Sequence, residues 1–558
     1  MPKRRLTLLL LAALSIFVLV LAGCAGAPAP ATGDAAAPAA EEGAAAPQPE
    51  TADAAEEPGA GSDTLVIAIA EDTASYDPQR AFETLPSIVH KATYQTLVTF
   101  PADSVETVIP DLAASWEISD DGTVYTFTLA EGRTFSDGSP VTAADVVFSF
   151  NRLKNLTGNP SFLADGIASV EAPDDTTVVM TLENPDPSIL AKMVFDGFSV
   201  VNMDVVMENG GTDGEDAATA DTAEEFLNQN SAGSGPYVLE SWEPGVETVL
   251  VRNENYWGDP APIGRVIFRN IPEAATQKIQ LEAGDIDIAF DLSADQVPGM
   301  MDNPDVFIYL GLSDTLVFLK GNQDPDVGGP MADPLVQKAV RLALDYEGIR
   351  LLAGGESVTP ASMLPAGFLG AKDPNTLTRD VEGAKALLAE AGYADGMDVE
   401  LAYPDFTFAG VNFGTFAQKI QADLAEVGIN ATLAPAEVQV ALEAYRQGTE
   451  PFGLWLWLPD YRDSLDYVEF LPEGVVGLRT NWTNDNADQA ILDLRDALKV
   501  ETDDAVRAGM FGEMQDYLIE SGPYAPIIQP GLQIGLNSAV EGFVYNPQWR
   551  VDVSLLSK

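Results

Sequence analysis

The sequence predicts an α/β protein, and three observations carry that expectation. Short apolar runs rich in β-branched residues, such as TLVIAIA (Thr64 to Ala70), recur along the chain and suit buried strands. Later stretches repeat apolar residues at helical spacing. In TFAQKIQADLAEVGIN, Phe416, Ile420, Leu424 and Val427 fall on one face. The two patterns are interleaved, with helices long enough to cross between strands, as in sheets covered by helices. At 558 residues, 46% of them hydrophobic, the chain has material for more than one core.

The N-terminus reads as a targeting segment. Lys3, Arg4 and Arg5 precede the apolar run LTLLLLAALSIFVLVLA, which ends at LAGC with Cys24, the single cysteine of the chain. Small residues directly before a cysteine resemble a bacterial lipobox. That implies removal of residues 1–23 as a lipoprotein signal peptide and lipidation of Cys24, with several acyl chains giving durable attachment. No thiol would then remain for a disulfide. Residues 24–62 are Ala, Pro, Gly and acid without a basic or aromatic residue, the composition of a disordered tether.

Folded sequence begins at Thr64. VYTFTLAEGRTFSDGSP alternates at Tyr125, Phe127 and Leu129 and turns at Asp137-Gly138, a half-buried strand and hairpin pattern. TVVMTL, ETVLV and RVIFRNI repeat the strand signal. The acidic insert Glu208 to Phe226 lacks the ligand spacing of a calcium loop and reads as solvated surface. In DPLVQKAVRLALDYEGI, Asp333 suits the cap and Pro334 the first helical position, with Leu335, Ala339 and Leu342 facing a core. After the helix through Phe416, Gly428 supplies the stop and Ile429 opens the next strand.

Charge and motifs exclude several function classes. With 29 basic against 86 acidic residues and a net charge of −57, the surface repels nucleic acid. No P-loop, G-x-S-x-G or H-E-x-x-H motif occurs. The solitary His90 lies in an ordinary helical stretch and reads as structural, which leaves little for zinc, copper or haem chemistry. No metal and no cofactor is expected.

The stretch WLWLPDYRDSLDY (Trp455 to Tyr467) holds three aspartates behind two tryptophans. Trp455, Trp457, Asp460 and Asp463 superficially match a glycosidase, which needs paired carboxyls and aromatic platforms. A surface that holds a ligand without altering it is the preferred reading. Asp463 and Asp466 read as a capped, charged helix start facing water.

Seven segments in order decide between these readings. DLAASWEISDDGTVYTFTLAEGRTFSDGSPVTAADVVFSFNRL, GSGPYVLESWEPG, RNENYWGDPAPIGRVIFRNIP, LEAGDIDIAF, VRLALDYEGI, VEGAKALLAEAGY and QADLAEVGIN resemble the dipeptide/oligopeptide-binding family of extracytoplasmic solute-binding proteins of ABC importers. The resemblance runs from Thr64 to the C-terminus. It implies a class II periplasmic-binding-protein-like fold, two lobes with a hinge, in three domains with mixed sheets. Domain I would be discontinuous (63–95, 233–318 and 524–558), domain II an inserted lobe (96–232), and domain III the second ligand-binding lobe (319–523). The hinge would lie near Val317 to Asn322 and Ser521 to Pro526.

The resemblance also implies the site. Asp460 matches the acid that takes a peptide ammonium, Trp457 an aromatic wall beside it, and Tyr461 and Trp455 flank them. Glu83, Thr84, Phe162, Phe290 and Asp291 are further cleft residues carried over by alignment. Peptide binders of the family often place an arginine shortly before the tryptophan, where Phe452, Gly453 and Leu454 stand here, and Arg462 lies beyond the motif. The implied protein is a monomeric, non-enzymatic receptor held outside the bacterial membrane by its lipid. It delivers an oligopeptide or similar solute to an ABC permease and ATPase. An oligosaccharide stacked on Trp455 and Trp457 is the alternative cargo, and a surface hydrolase with paired carboxylates the remote alternative.

Overall fold

The structure, a computed structural model, describes residues 63–408 and 411–558. The expected signal peptide, Cys24 and the tether lie outside the described residues. Strand Thr64–Ile69 is the centre of a seven-stranded sheet and runs parallel to Arg265–Asn270 on one side and Ile288–Ala289 on the other. Its residues alternate between two cores. Leu65, Ile67 and Ile69 join one apolar cluster, Val66 and Ala68 the other, so the whole run is buried. The sheet is completed by Glu247–Arg252 and Tyr237–Glu243 on the first side and by Gly531–Asn537 and Val306–Leu312 on the second.

A five-stranded sheet follows the order Ile429–Ala436, Met397–Pro404, Phe452–Trp457, Leu316–Gly321, Tyr524–Ile528. Helix Phe413–Ala425 makes the crossover between the parallel strands Met397–Pro404 and Ile429–Ala436, and buries Phe416, Ile420 and Leu424 as the spacing predicts. Gly428 adopts φ +91°, which ends that element at little steric cost. A four-stranded antiparallel sheet, with Val124–Leu129 and Thr177–Leu182 at its centre, is covered by helix Ala143–Leu156. Tyr125, Phe127 and Leu129 face its core.

The chain passes between the seven- and five-stranded sheets at Ser313–Thr315 and again at Gln529–Pro530. These passages lie side by side: the Ser313 N–H donates to the Pro530 carbonyl at 2.9 Å, and Gln529 Nε2 to the Ser313 carbonyl at 2.8 Å. The expected crossings near Val317 and Ser521 differ from this by a few residues, because Leu316–Gly321 and Tyr524–Ile528 are already hydrogen-bonded strands of the five-stranded sheet.

Three local expectations need correction. Helix Pro334–Ala343 is capped by Asp333 and buries Val336, Ala339, Val340 and Ala343; of the expected stripe, Ala339 is core, Leu342 packs against that core while partly exposed, and Leu335 is half-exposed. The stripe is rotated by a residue because Arg341 reaches inward to the carbonyls of Gly522 (2.8 Å) and Tyr524 (2.9 Å). The insert Glu208 to Phe226 is not all solvated loop. It contains helices Ala217–Ala220 and Glu224–Leu227, and its Asp221 pairs with the fully buried Arg152 at 2.8 Å. Arg152 also forks onto Asp77 at 2.7 and 2.6 Å, fastening the insert to the loop after the first strand. Of Asp463 and Asp466, both expected to face water, Asp466 is buried and Asp463 is only partly exposed.

His90 is buried, with Nδ1 2.5 Å from Asp196 Oδ2 and Nε2 3.0 Å from the Tyr76 carbonyl. Among the described residues, no helix is long and apolar enough to cross a membrane, and no group of three or more His, Cys, Asp or Glu could hold a metal.

Candidate functional site

A cavity of about 590 Å3 lies beside the two passages, within the range of small-molecule sites. Ser313, Asp314 and Thr315 line it, as do Glu83, Thr84, Phe290 and Asp291 from the seven-stranded side. The other wall comes from Thr407, Phe408 and the segment Leu458 to Asp460 with Arg462, just past strand Phe452–Trp457. Its aromatic lining is Phe82, Phe195, Phe290, Phe408 and Tyr545. Phe82 packs on Phe195 with ring centres 5.1 Å apart.

The polar lining is mostly engaged already. Glu83 accepts the Phe82 N–H at 3.0 Å. Asp291 Oδ2 accepts the Ala70 N–H at 2.7 Å and Gln277 Nε2 at 3.3 Å. Asp314 is paired with Arg462 at 2.5 Å, and that guanidinium also lies 4.1 Å above the Phe368 ring. Asp460 differs. Its backbone N–H donates to Asp466 Oδ2 at 3.3 Å, while its half-buried carboxyl accepts no hydrogen bond from a described residue. Burial and the negative charge of Glu469 push that carboxyl up to about 7, with Arg479 acting in the opposite direction.

The support under Asp460 explains its position. Strand Phe452–Trp457 ends at Trp457, and Pro459 prevents the chain from continuing in the sheet. The chain then folds back as the short helical turn Ser464–Phe470, which brings Asp466 beneath Asp460. Asp466 is 1% exposed and also accepts Trp457 Nε1–H at 2.9 Å. Burial and the neighbouring Asp460 hold its carboxyl well above the usual range. Asp463 caps the turn, accepting the Leu465 N–H at 2.7 Å, and is paired with Arg507. Neither faces water because each has internal donors.

With this geometry in view, comparison with known proteins is informative. The profile described as bacterial extracellular solute-binding proteins, family 5 Middle, matches residues 107–474. The chain belongs to that family. It is 30% identical to the probable D,D-dipeptide-binding periplasmic protein DdpA of Escherichia coli K12, over 87% of this chain and 92% of that protein. Among solved structures it is similar to HbpA2 from Haemophilus parasuis, with a TM-score of 0.76 at 26% identity over 88% of this chain and 99% of that one. It is also similar to the PBP AgaA of A. tumefaciens R10, in complex with agropinic acid, with a TM-score of 0.70 at 25% identity over 88% of this chain and 98% of that one.

In this family 5 protein, five residues singled out from the sequence meet at the cavity: Asp460, Glu83, Thr84, Phe290 and Asp291. The remaining four do not line it. Trp455 is 5% exposed, stacked on Tyr445 with ring centres 4.1 Å apart, and donates to Glu450 at 2.8 Å. Trp457 packs edge-on against Phe470, with ring centres 5.8 Å apart. Tyr461 is buried, with Lys192 Nζ 5.0 Å from its ring centre. Phe162 is largely exposed and touches the cavity only through Phe82, 5.7 Å away. Residues 455 and 457 point to the same side of one strand, where Tyr445 of helix Val438–Arg446 covers Trp455 and the turn Ser464–Phe470 covers Trp457. The sequence reading missed Phe82, Phe195, Tyr545, Gln533 and Arg550, which come from remote loops and from the C-terminal strands. No short motif marks them.

Proposed function

We propose that this family 5 protein captures an oligopeptide or similar amine-bearing solute in the cavity, with Asp460 as the anion for the ligand's ammonium. The observation that carries this reading is the state of the lining. Of the acids there, Glu83 and Asp291 accept backbone N–H bonds and Asp314 holds an arginine, while the Asp460 carboxyl has no partner among the described residues. A desolvated ammonium on that carboxylate makes a charge-assisted bond of the strong kind. Proteins of this family work with ABC permease and ATPase components. The segments 313–315 and 529–530 would be the hinge about which the lobes open and close. Domain I would then be 63–95, 233–315 and 531–558, with the inserted lobe at 96–232 and the second lobe between the hinge segments. Delivery of the intact solute is the whole task. A lipid on Cys24 would hold the receptor at the membrane, and the protein would act as a monomer.

The rival readings lose their residues. An oligosaccharide was to stack on Trp455 and Trp457, both of which are core. A hydrolase needs two carboxyls at the substrate, but Asp463 is occupied by Arg507 and Asp466 is sealed beneath Asp460. A small non-peptide solute remains the second reading, favoured by the likeness to the agropinic acid complex of AgaA.

The test is calorimetric titration with free and N-acetylated short peptides. Asp460→Asn is expected to weaken the free-amine ligand by about 2–5 kcal/mol and to leave the acetylated ligand comparatively unaffected. Equal affinity of the wild type for both forms would remove Asp460 from the site.

A further inference from the structure

The C-terminal hairpin carries a second, loosely held charge. Strand pairs Tyr545–Asn546 and Arg550–Val551 flank its tip, and Pro547, Gln548 and Arg550 line the cavity. The hairpin is firmly seated. Asn546 is fully buried and its Nδ2 donates to the carbonyls of Pro101 (3.0 Å) and Ala102 (3.3 Å). Trp549 is buried, with Lys91 Nζ 4.2 Å from its ring centre.

Arg550 adopts φ +59°, and the Val551 N–H donates to the Trp549 carbonyl at 2.6 Å, closing a tight three-residue turn around it. Such a left-handed turn favours Gly or Asn; a bulky side chain there is strained, and strain of this kind collects at functional sites. The side chain therefore has to justify the position.

What it does within the protein is little. The Arg550 guanidinium makes no hydrogen bond to a described residue. Its nearest recorded acid is Asp291 Oδ1 at 4.0 Å, and its carbon lies 5.9 Å from the Phe290 ring centre. In a chain with 86 acids and 29 bases, arginines of comparable exposure are held more closely: Arg80 is 3.2 Å from Asp221 and Arg379 is 3.1 Å from Glu426. Two further polar atoms of the lining residues, Ser313 Oγ and Gln533 Nε2, are buried and without a hydrogen-bond partner among the described residues.

We propose that Arg550 is the anion-recognising end of the cavity, taking a ligand carboxylate, with Ser313 and Gln533 available to complete its hydrogen bonds. This rests on the capture reading, in which Asp460 holds the ammonium. Together they select a short zwitterion. The acid beside Arg550, Asp291, disfavours a dianion such as a phosphate monoester, so the class is a monoanionic carboxylate. Arg462 does not compete for this role, because Asp314 already neutralises it.

The experiment titrates wild type, Arg550→Gln and Arg550→Gly with a panel of neutral dipeptides and the same dipeptides as C-terminal amides. Thermal midpoints are measured alongside, and copurifying ligand is identified by mass spectrometry. Wild type is expected to prefer the acids by roughly tenfold or more, the value of one lost charge-assisted contact. Both variants should lose that preference. Glycine relieves the left-handed backbone, so its midpoint should not fall, which separates loss of the guanidinium from loss of fold. A wild type indifferent to amidation, or a variant that keeps the preference, overturns the proposal. So does a copurified ligand without an anionic group. If neither peptide form binds but a carboxylate-bearing non-peptide copurifies with wild type and not with Arg550→Gln, the peptide reading fails and the Arg550 site stands.

Discussion

Ligand affinity should depend on pH through Asp460, in a direction the site dictates. Burial, with the nearby charge of Glu469, raises its carboxyl to about 7 in the empty protein, against the opposing pull of Arg479. Burial and the neighbouring Asp460 likewise raise the Asp466 carboxyl below it. A bound ammonium favours the ionised form, so the bound-state pKa is lower. Binding is therefore strongest above about 7 and weakens as pH falls through that value, close to tenfold per unit until the bound-state pKa is reached. From pH 7 to pH 5 the ionised fraction of Asp460 drops from about one half to about one hundredth, a loss of affinity approaching fiftyfold. A peptide α-amine loses its own proton near pH ~8, so the profile has two limbs with an optimum between about 7 and 8. Calorimetry of a neutral dipeptide across pH 5 to 9 reads this directly. Asp460→Asn should abolish the acid limb and flatten the alkaline one, since both read the pairing of that carboxylate with the ammonium. A wild-type affinity constant between pH 8 and 5 would refute the reasoning, since an Asp in water would already be ionised throughout.

Asp466 offers a stability test of the opposite sign to an ordinary ion pair. Its native pKa is raised, so it stabilises the fold most below its unfolded value, and that contribution is lost as pH rises. Asp466→Asn should flatten this loss in urea titrations at pH 5 to 9, while Asp466→Ala, leaving Trp457 Nε1 and the Asp460 N–H without an acceptor, should cost about 1–3 kcal/mol. Arg152→Ala should cost about 3–5 kcal/mol because the buried Asp77 and Asp221 would keep only Arg80, at 3.3 and 3.2 Å, as a shared cation. The urea midpoint measures it, and a loss below about 1 kcal/mol would show that Arg80 alone neutralises both aspartates.

The legible parts of this protein are those where a local pattern has one outcome. Thr64–Ile69 reads as a buried strand because both of its faces meet apolar clusters, and helix Phe413–Ala425 reads correctly because its stripe and its terminal glycine agree. The site is different in kind. Alternation places Trp455 and Trp457 on one face of their strand, but it does not say whether that face meets a ligand or other parts of the chain, which is decided by Tyr445 for the first and by Phe470 and Asp466 for the second. Three aspartates spaced three apart look equivalent in sequence, yet Asp463 is claimed by Arg507 from a helix far along the chain and Asp466 by an indole, so the cavity receives only Asp460. The same subtraction identifies Arg550: acids and bases that have found each other are structure, and the carboxyl and the guanidinium of the lining left without a close partner among the described residues are what a zwitterion would complete. Recognition chemistry here is the remainder after folding has satisfied its own charges, and such a remainder cannot be computed from spacing along the chain.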